Sequence, residues 1–125
     1  MADTFSEAID LLHCVGFLYL RHGQPYRAVV LLIVAAQTAP ERTDLLRTLA
    51  GALVAARLGD QALGVLDRLW ALAPEDAADP MFLLLRSRAL LLLGRRDEAV
   101  EAFRGRRRPG TSAQRPSGSA MQEAS

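Results

Sequence analysis

The sequence predicts an all-α fold, an α-solenoid of about three helix pairs followed by a disordered C-terminal tail. One observation is a set of small and turn residues that returns after 34 residues. These are Gly16, Ala28, Ala35 and Pro40, repeated as Ala50, Ala62, Leu69 and Pro74. A second observation is that Leu12, Val15 and Tyr19 recur in step as Leu46, Leu49 and Leu53. A third is a less regular copy from Met81, which keeps Gly94 and Ala99 in the expected order.

The first two helices are delimited by capping and breaking residues. Helix one is predicted over about 6–22, because Ser6 is a suitable N-cap and acidic residues follow in the first turn. Gly23 suits the position after a helix end, and Pro25 suits the first turn of the next helix. Helix two is therefore predicted over about 25–38, ending before Pro40.

The remaining four helices are delimited by the same kinds of capping and breaking residues. Helix three is predicted over about 43–57 with Thr43 as its N-cap, and helix four over about 60–72, closing before Pro74. The glycine of this second turn, Gly59, comes two positions late while Ala62 stays in phase, so we expect a tighter or shifted turn. After a connector containing "PEDAADP", helices five and six are predicted over about 80–93 and 96–106.

These elements divide the chain into three segments. Residues 1–8 form an N-terminal lead-in, and 9–108 form the repeat domain, with repeats at about 9–42, 43–76 and 80–108. Residues 109–125 are rich in Arg, Pro, Gly and Ser and nearly devoid of apolar side chains. Such a segment cannot bury enough surface to offset its ordering entropy, so we expect it to be disordered.

Composition narrows the class of protein. The formal net charge is +1, so the chain has no large overall charge that would favour binding to nucleic acid or to a membrane surface. Cys14 is the only cysteine, which is compatible with a reducing compartment, and we expect it to be a small buried side chain. The acidic N-terminus lacks the order of a signal peptide, and the apolar run 28–36 is too short to span a membrane. We expect a cytoplasmic protein.

A 34-residue period with a small residue in each of two helices resembles the tetratricopeptide (TPR) repeat, whose arrays bind polypeptides. The first helices of such pairs line the concave side of the array. Helical spacing then predicts a partner-binding groove. Its residues are His13, Phe17 and Leu20 in the first repeat, Arg47 and Val54 in the second, and Leu84, Arg88 and Leu91 in the third. Arg47 and Arg88 are candidates for partner contact, because a charged side chain at these groove positions must face water or a partner.

The sequence carries no catalytic motif. It has no nucleophile–base set, metalloprotease signature or phosphate-binding loop, and His13 and Cys14 point in different directions on a helix. We therefore predict no enzymatic activity, no cofactor and no metal. Arg104 and Arg106–Arg108 suit a helix C-terminus, and without interleaved aromatic residues they do not predict nucleic-acid binding.

The opening segment "LLHCVGFLYLRHGQPYRAVVLL", together with a chain of about three TPR-like repeats, resembles the YscY family of type III secretion chaperones. The residues that carry the likeness are Gly16, His22-Gly23, Arg27-Ala28 and Leu31-Leu32. The resemblance implies a cytoplasmic protein that binds a cognate early-secreted partner of the YscX type and presents it to the inner-membrane export gate of a virulence-associated injectisome.

Three other functions stay open. Translocator chaperones of the same apparatus usually carry an extra N-terminal dimerisation helix, which the short lead-in speaks against. A needle-subunit chaperone uses similar repeats, and a TPR scaffold or regulator outside secretion is the remaining alternative. A carboxylate-clamp TPR is rejected, because its clamp relies on Lys and Asn and this chain has neither. A small array without a polar capping helix favours a protein partner, and we expect a hetero-oligomer.

Overall fold

The structure is a computed structural model and describes residues 2–104. Within that range every regular element is helical. The elements are α1 (Ala2–Arg21), α2 (Pro25–Thr38), α3 (Thr43–Ala55), α4 (Gly59–Leu72), a 3₁₀ helix (Pro74–Ala78), α5 (Pro80–Leu92) and α6 (Arg96–Arg104). The predicted all-α array of helix pairs is confirmed. The predicted tail, 109–125, and Arg106–Arg108 lie outside the described residues.

The helices pack as three antiparallel hairpins stacked in chain order. Each first helix contacts the second helix of its own pair, and α2 and α4 also contact the first helix of the next pair. In addition α1 contacts α3, and α3 contacts α5, so the three first helices form one row. No helix in residues 2–104 is long and apolar enough to cross a membrane.

Small residues at the hairpin interfaces allow close packing. Ala28, Ala62 and Ala99, which share one repeat position, are all buried. Across α1 and α2, a Cβ added to Gly16 would lie only 2.8 Å from Leu32 Cγ. The matching residue of the third pair is Ser87, whose buried hydroxyl donates a hydrogen bond to the Ala99 carbonyl oxygen at 3.0 Å. The repeat positions read from the sequence are therefore the ones at which helices approach.

The turn between α3 and α4 corrects the expectation of a shifted turn. Three residues separate the helices in each of the three hairpins. Each turn also contains one residue with positive φ: Gly23 at 75°, Arg57 at 64° and Gly94 at 76°. Arg57 takes the glycine conformation in the second hairpin, so the turn keeps its length and register. Gly59 instead begins α4, where it packs tightly against α5.

The N-terminal lead-in is helical and extends α1. The helix begins at Ala2 rather than at the predicted Ser6, and it is 20 residues long, whereas α3 and α5 have 13 each. Ile9 is buried in the core, but Phe5, one turn earlier, is exposed. The extension therefore carries apolar surface beyond the first hairpin. At α3 the N-cap is Arg42 rather than the predicted Thr43, which is the first helical residue.

Candidate functional site

The predicted groove residues all lie on the row of first helices, and we call the surface they form the inner face. Three sets share repeat positions along α1, α3 and α5. They are His13, Arg47 and Leu84; Phe17, Gly51 and Arg88; and Leu20, Val54 and Leu91. Because α3 contacts both α1 and α5, the sets lie side by side on one surface. The structure thus brings together the eight residues that spacing had assigned to three separate helices.

The inner face is largely apolar and accessible. Phe17 on α1 is 42% exposed and Leu91 on α5 is 53% exposed. Leu20, Val54 and Leu84 are half-buried, so each presents part of its side chain. At the centre of the row is Gly51, where an added Cβ would meet nothing within 4 Å. The missing side chain leaves open space on α3 between the two exposed apolar residues.

His13 is tied into the array, although the sequence offered it only as a groove residue. Its Nε2 atom lies 2.8 Å from Thr48 Oγ1, and its Nδ1 atom lies 3.7 Å from Asp44 Oδ2. Both partners belong to α3, so the half-buried imidazole bridges the first helices of two neighbouring repeats. The orientation of the imidazole is therefore set by contacts within the chain, and the ring is held in place at the inner face.

The cations of the inner face differ in their surroundings. Arg47 Nη1 lies 3.6 Å from Asp79 Oδ2, and Asp79 is the N-cap of α5, so this ion pair links the second and third repeats. Arg88 is exposed. A further cation, which is not among the predicted groove residues, is Arg21, whose guanidinium lies 5.7 Å from the centre of the Phe17 ring. The spacing of four residues on one helix was the signal that could have identified it.

An ion cluster borders the inner face where α1 meets α3. Arg42 Nη1 lies 2.6 Å from Asp10 Oδ1, and Arg42 Nη2 lies 2.6 Å from Asp44 Oδ2. The hydrogen bond from Arg42 lowers the pKa of Asp44, with support from the Leu45 N–H and against partial desolvation. Asp44 also faces His13, so the cluster holds α1, the α2–α3 connector and α3 together at one edge.

Cys14 is exposed, which corrects the expectation of a buried thiol. The reason is its place on α1, a helix that no preceding hairpin covers within residues 2–104. In that same range no group of three or more His, Cys, Asp or Glu side chains is arranged to hold a metal ion.

The tetratricopeptide repeat family model matches residues 19–80, from the end of α1 to the start of α5. The match covers α2, α3 and α4 completely, together with the last residues of α1 and the first residue of α5. No curated protein matches the chain.

Proposed function

Starting from the premise that this chain is a TPR-type protein, we propose that it is a non-enzymatic adaptor that captures a polypeptide segment on its inner face. TPR repeats are typically protein-interaction modules, and their concave surfaces bind extended or helical segments. The observation that carries the proposal is the accessible apolar row of Phe17, Leu20, Val54 and Leu91, with open space over Gly51.

The row has the chemistry of a groove for an amphipathic segment. Phe17 and Leu91 stand at opposite ends, on α1 and α5, and each keeps about half of its surface in water. Burying such side chains against a partner is favourable by about 25 cal/mol per Å² of apolar area. A side chain of the partner would fit over Gly51, where the helix surface is lowest.

Charge adds orientation to this apolar contact. Arg21 and Arg88 lie at the edge of the apolar row, on α1 and α5. A partner segment with a carboxylate near either end of its apolar stripe would be matched in charge as well as in shape. Arg47, with its ion pair to Asp79, would contribute mainly by holding the second and third repeats in register.

We infer a specific role from the resemblance of the opening segment to the YscY family. The protein would be a cytoplasmic chaperone that holds an early type III secretion component of the YscX type and presents it to the export apparatus. A small array with an accessible apolar row suits the task of covering an aggregation-prone segment. The alternatives are a chaperone for a needle subunit or translocator, and a TPR scaffold or regulator outside secretion.

Co-purification tests the proposal. The full chain, affinity-tagged and co-expressed with its neighbouring open reading frames, should retain one cognate protein in a defined complex. Leu91→Glu should lose that protein, because an uncompensated charge in an apolar contact costs several kcal/mol. Val30→Glu is the matched control, since Val30 is also exposed and apolar but lies on α2, away from the inner face. Equal loss with both variants would contradict the proposal.

The identity of the retained protein separates the specific role from its alternatives. A small secreted component encoded among export-apparatus genes would support the secretion chaperone. Retention of a needle subunit or a translocator would indicate a chaperone for that component instead. Retention of a protein unrelated to secretion would indicate a TPR scaffold or regulator. Retention of no protein by the wild-type chain would count against the adaptor itself.

A further inference from the structure

A second apolar surface lies on α1, on the side away from the rest of the array. Leu11, Val15 and Leu18 form a stripe at spacings of four and three residues, and we call this surface the end face. Leu11 is 64% exposed and Leu18 is 48% exposed, while Val15 is half-buried. The inner-face residues of α1 are not part of this stripe, so the end face is a separate surface.

The repeat shows what normally happens to these positions. The residues 34 positions later, on α3, are Leu45, Leu49 and Ala52, and all three are buried. There the preceding helix α2 packs against α3. Within residues 2–104 no hairpin precedes α1, so the same positions face outward. A shallow depression at this side is lined by Val15, Leu18, Tyr19, His22 and Gln24.

A residue difference between the repeats argues against another helix hairpin as the occupant of the end face. Between the second and third hairpins, α4 approaches α5 so closely that a Cβ added to Gly59 would lie 2.8 Å from the Ala89 carbonyl oxygen, and the small Ala89 side chain is fully buried there. The residues equivalent to Ala89 are Ala52 in α3 and Leu18 in α1. A preceding hairpin in the standard register would have to bring its second helix against a leucine. The end face therefore fits a different geometry, in which Leu18 inserts as a knob.

Positions 7, 11, 18 and 22 of the stripe are symmetric about a point between Cys14 and Val15. It begins with Glu7, continues through Leu11, Val15 and Leu18, and ends with His22, which adjoins Arg21. Turned end for end, it places Leu11 opposite Leu18 and Glu7 opposite His22 and Arg21. The extension of α1 to Ala2 makes this possible, because it keeps Glu7 inside a regular helix. Apolar and charged positions are thus complementary to those of an identical helix running the other way.

We propose that a second copy of this chain docks on the end face, so that two α1 helices pack antiparallel about a two-fold axis between Cys14 and Val15. In this dimer, Leu11 of each copy contacts Leu18 of the other, and each Glu7 lies near the basic end of the opposite helix. A two-fold interface of this kind is closed and self-complementary. The inner faces of both copies stay open, so the dimer is compatible with capture of a partner by each chain.

The sole cysteine of the chain provides a direct probe. Cys14 is exposed and lies next to the proposed axis, so each thiol of a dimer would lie beside Val15 of the other copy, and the two thiols would be close together. A short bismaleimide should link the full-length chain into a covalent dimer, in proportion to the dimer that sedimentation equilibrium measures. A chain that sediments as a monomer at every concentration tested would overturn the proposal.

Two variants locate the interface. Leu18→Glu should weaken dimerisation about a hundredfold and abolish the crosslink, because two-fold symmetry introduces the unfavourable contact twice. Val30→Glu should leave both readouts unchanged, since Val30 is 62% exposed but lies on α2 outside the end face. Circular dichroism verifies that both variants stay helical, and the more exposed Leu11→Glu replaces Leu18→Glu if the latter unfolds. A dimer that tolerates the end-face variant, or is lost equally with Val30→Glu, would contradict the proposal.

Discussion

Arg57 occupies in the second hairpin the left-handed backbone conformation that Gly23 occupies in the first, with φ of 64° and 75°. Both residues lie in a three-residue turn that the same backbone bond closes. The N–H of Gln24 donates to the Tyr19 carbonyl oxygen at 2.9 Å, and the N–H of Leu58 donates to the Leu53 carbonyl oxygen at 2.8 Å. The turn geometry is thus imposed by the hairpin, although Arg57 disfavours it.

Arg57→Gly should stabilise the fold by about 0.5–1 kcal/mol. Glycine adopts the left-handed conformation without steric strain, and this gain exceeds the loss that comes from the greater entropy of glycine in the unfolded chain. Arg88→Gly is the matched control. It makes the same substitution inside α5 and should destabilise by about 0.5–1 kcal/mol, because glycine is a poor helix former. Urea unfolding of both variants measures the two differences. Destabilisation by Arg57→Gly would show that the Arg57 side chain contributes more than its backbone costs.

Gly59 should tolerate no side chain, although alanine is in general a better helix former than glycine. An added Cβ would lie 2.8 Å from the Ala89 carbonyl oxygen and 3.0 Å from Leu92 Cβ, so α4 and α5 would have to separate. Gly59→Ala should therefore destabilise by about 1–3 kcal/mol, the usual range for overpacking.

Gly64 provides the control for Gly59 within the same helix. A Cβ added there would meet nothing within 4 Å, so Gly64→Ala should stabilise by up to about 1 kcal/mol through helix propensity. Thermal unfolding of both variants tests the pair. Parallel shifts of the two melting temperatures would mean that α4 and α5 can relax around an extra methyl group.

The fold could be predicted from the sequence because its helix-breaking residues and small interface residues recur at regular positions. Pro25 and the small residues of each pair marked helix two at the bounds that the structure has for α2. Gly59 was misinterpreted, because a glycine required by close packing and one required by a turn look identical in sequence. Arg57 could not be identified in advance, since any residue can be held in the left-handed region by tertiary contacts worth more than its strain.

The candidate site was only partly predictable. Helical spacing placed Phe17 and Leu91 on one face, and both are accessible there. The bond of His13 to Thr48 depends on how α1 lies over α3, which spacing within one helix does not specify. Exposure at the end of the array was also missed. Tyr19 and Leu53 share a repeat position, yet Tyr19 is half-buried and Leu53 is buried, because only the latter has a hairpin before it.

Acid should weaken the fold through the Arg42–Asp44 contact. The pKa of Asp44 is lowered below its ordinary 3.8 in the folded chain, chiefly by the hydrogen bond from Arg42. Its contribution to stability is then fully present above the unfolded-state pKa and is lost as pH falls through the folded-state value. Because the carboxylate is 53% exposed, we expect about 1 kcal/mol or less.

A double-mutant cycle isolates this contribution. The stability difference between the wild type and Asp44→Asn should be largest near neutral pH and should shrink below about pH 4. In an Arg42→Met background, the same substitution should have a much smaller pH-dependent effect, because the hydrogen-bond donor is gone. An Asp44→Asn difference that stays constant from neutral to acid pH would rule out the ion pair as its cause.

The assignment of residues to the inner face can be tested by placing a carboxylate at positions that point in different directions from their helices. Phe17→Glu and Leu91→Glu should leave the helical content nearly unchanged, because both side chains already contact water. Leu53→Glu should unfold the array, since that position is buried between hairpins and would hold an uncompensated charge. Tyr19→Glu, at the equivalent but half-buried position of α1, should be destabilising to an intermediate degree.

Circular dichroism on the four variants, paired with capture of the co-expressed partner, separates folding from binding. The expected result is a folded Phe17→Glu chain that no longer retains the partner, beside a Leu53→Glu chain that is unfolded. If Phe17→Glu melts the protein while Leu53→Glu stays helical, the assigned helix phase is wrong. If Phe17→Glu stays folded and still retains the partner, the helix phase stands, and the partner binds a surface other than the inner face.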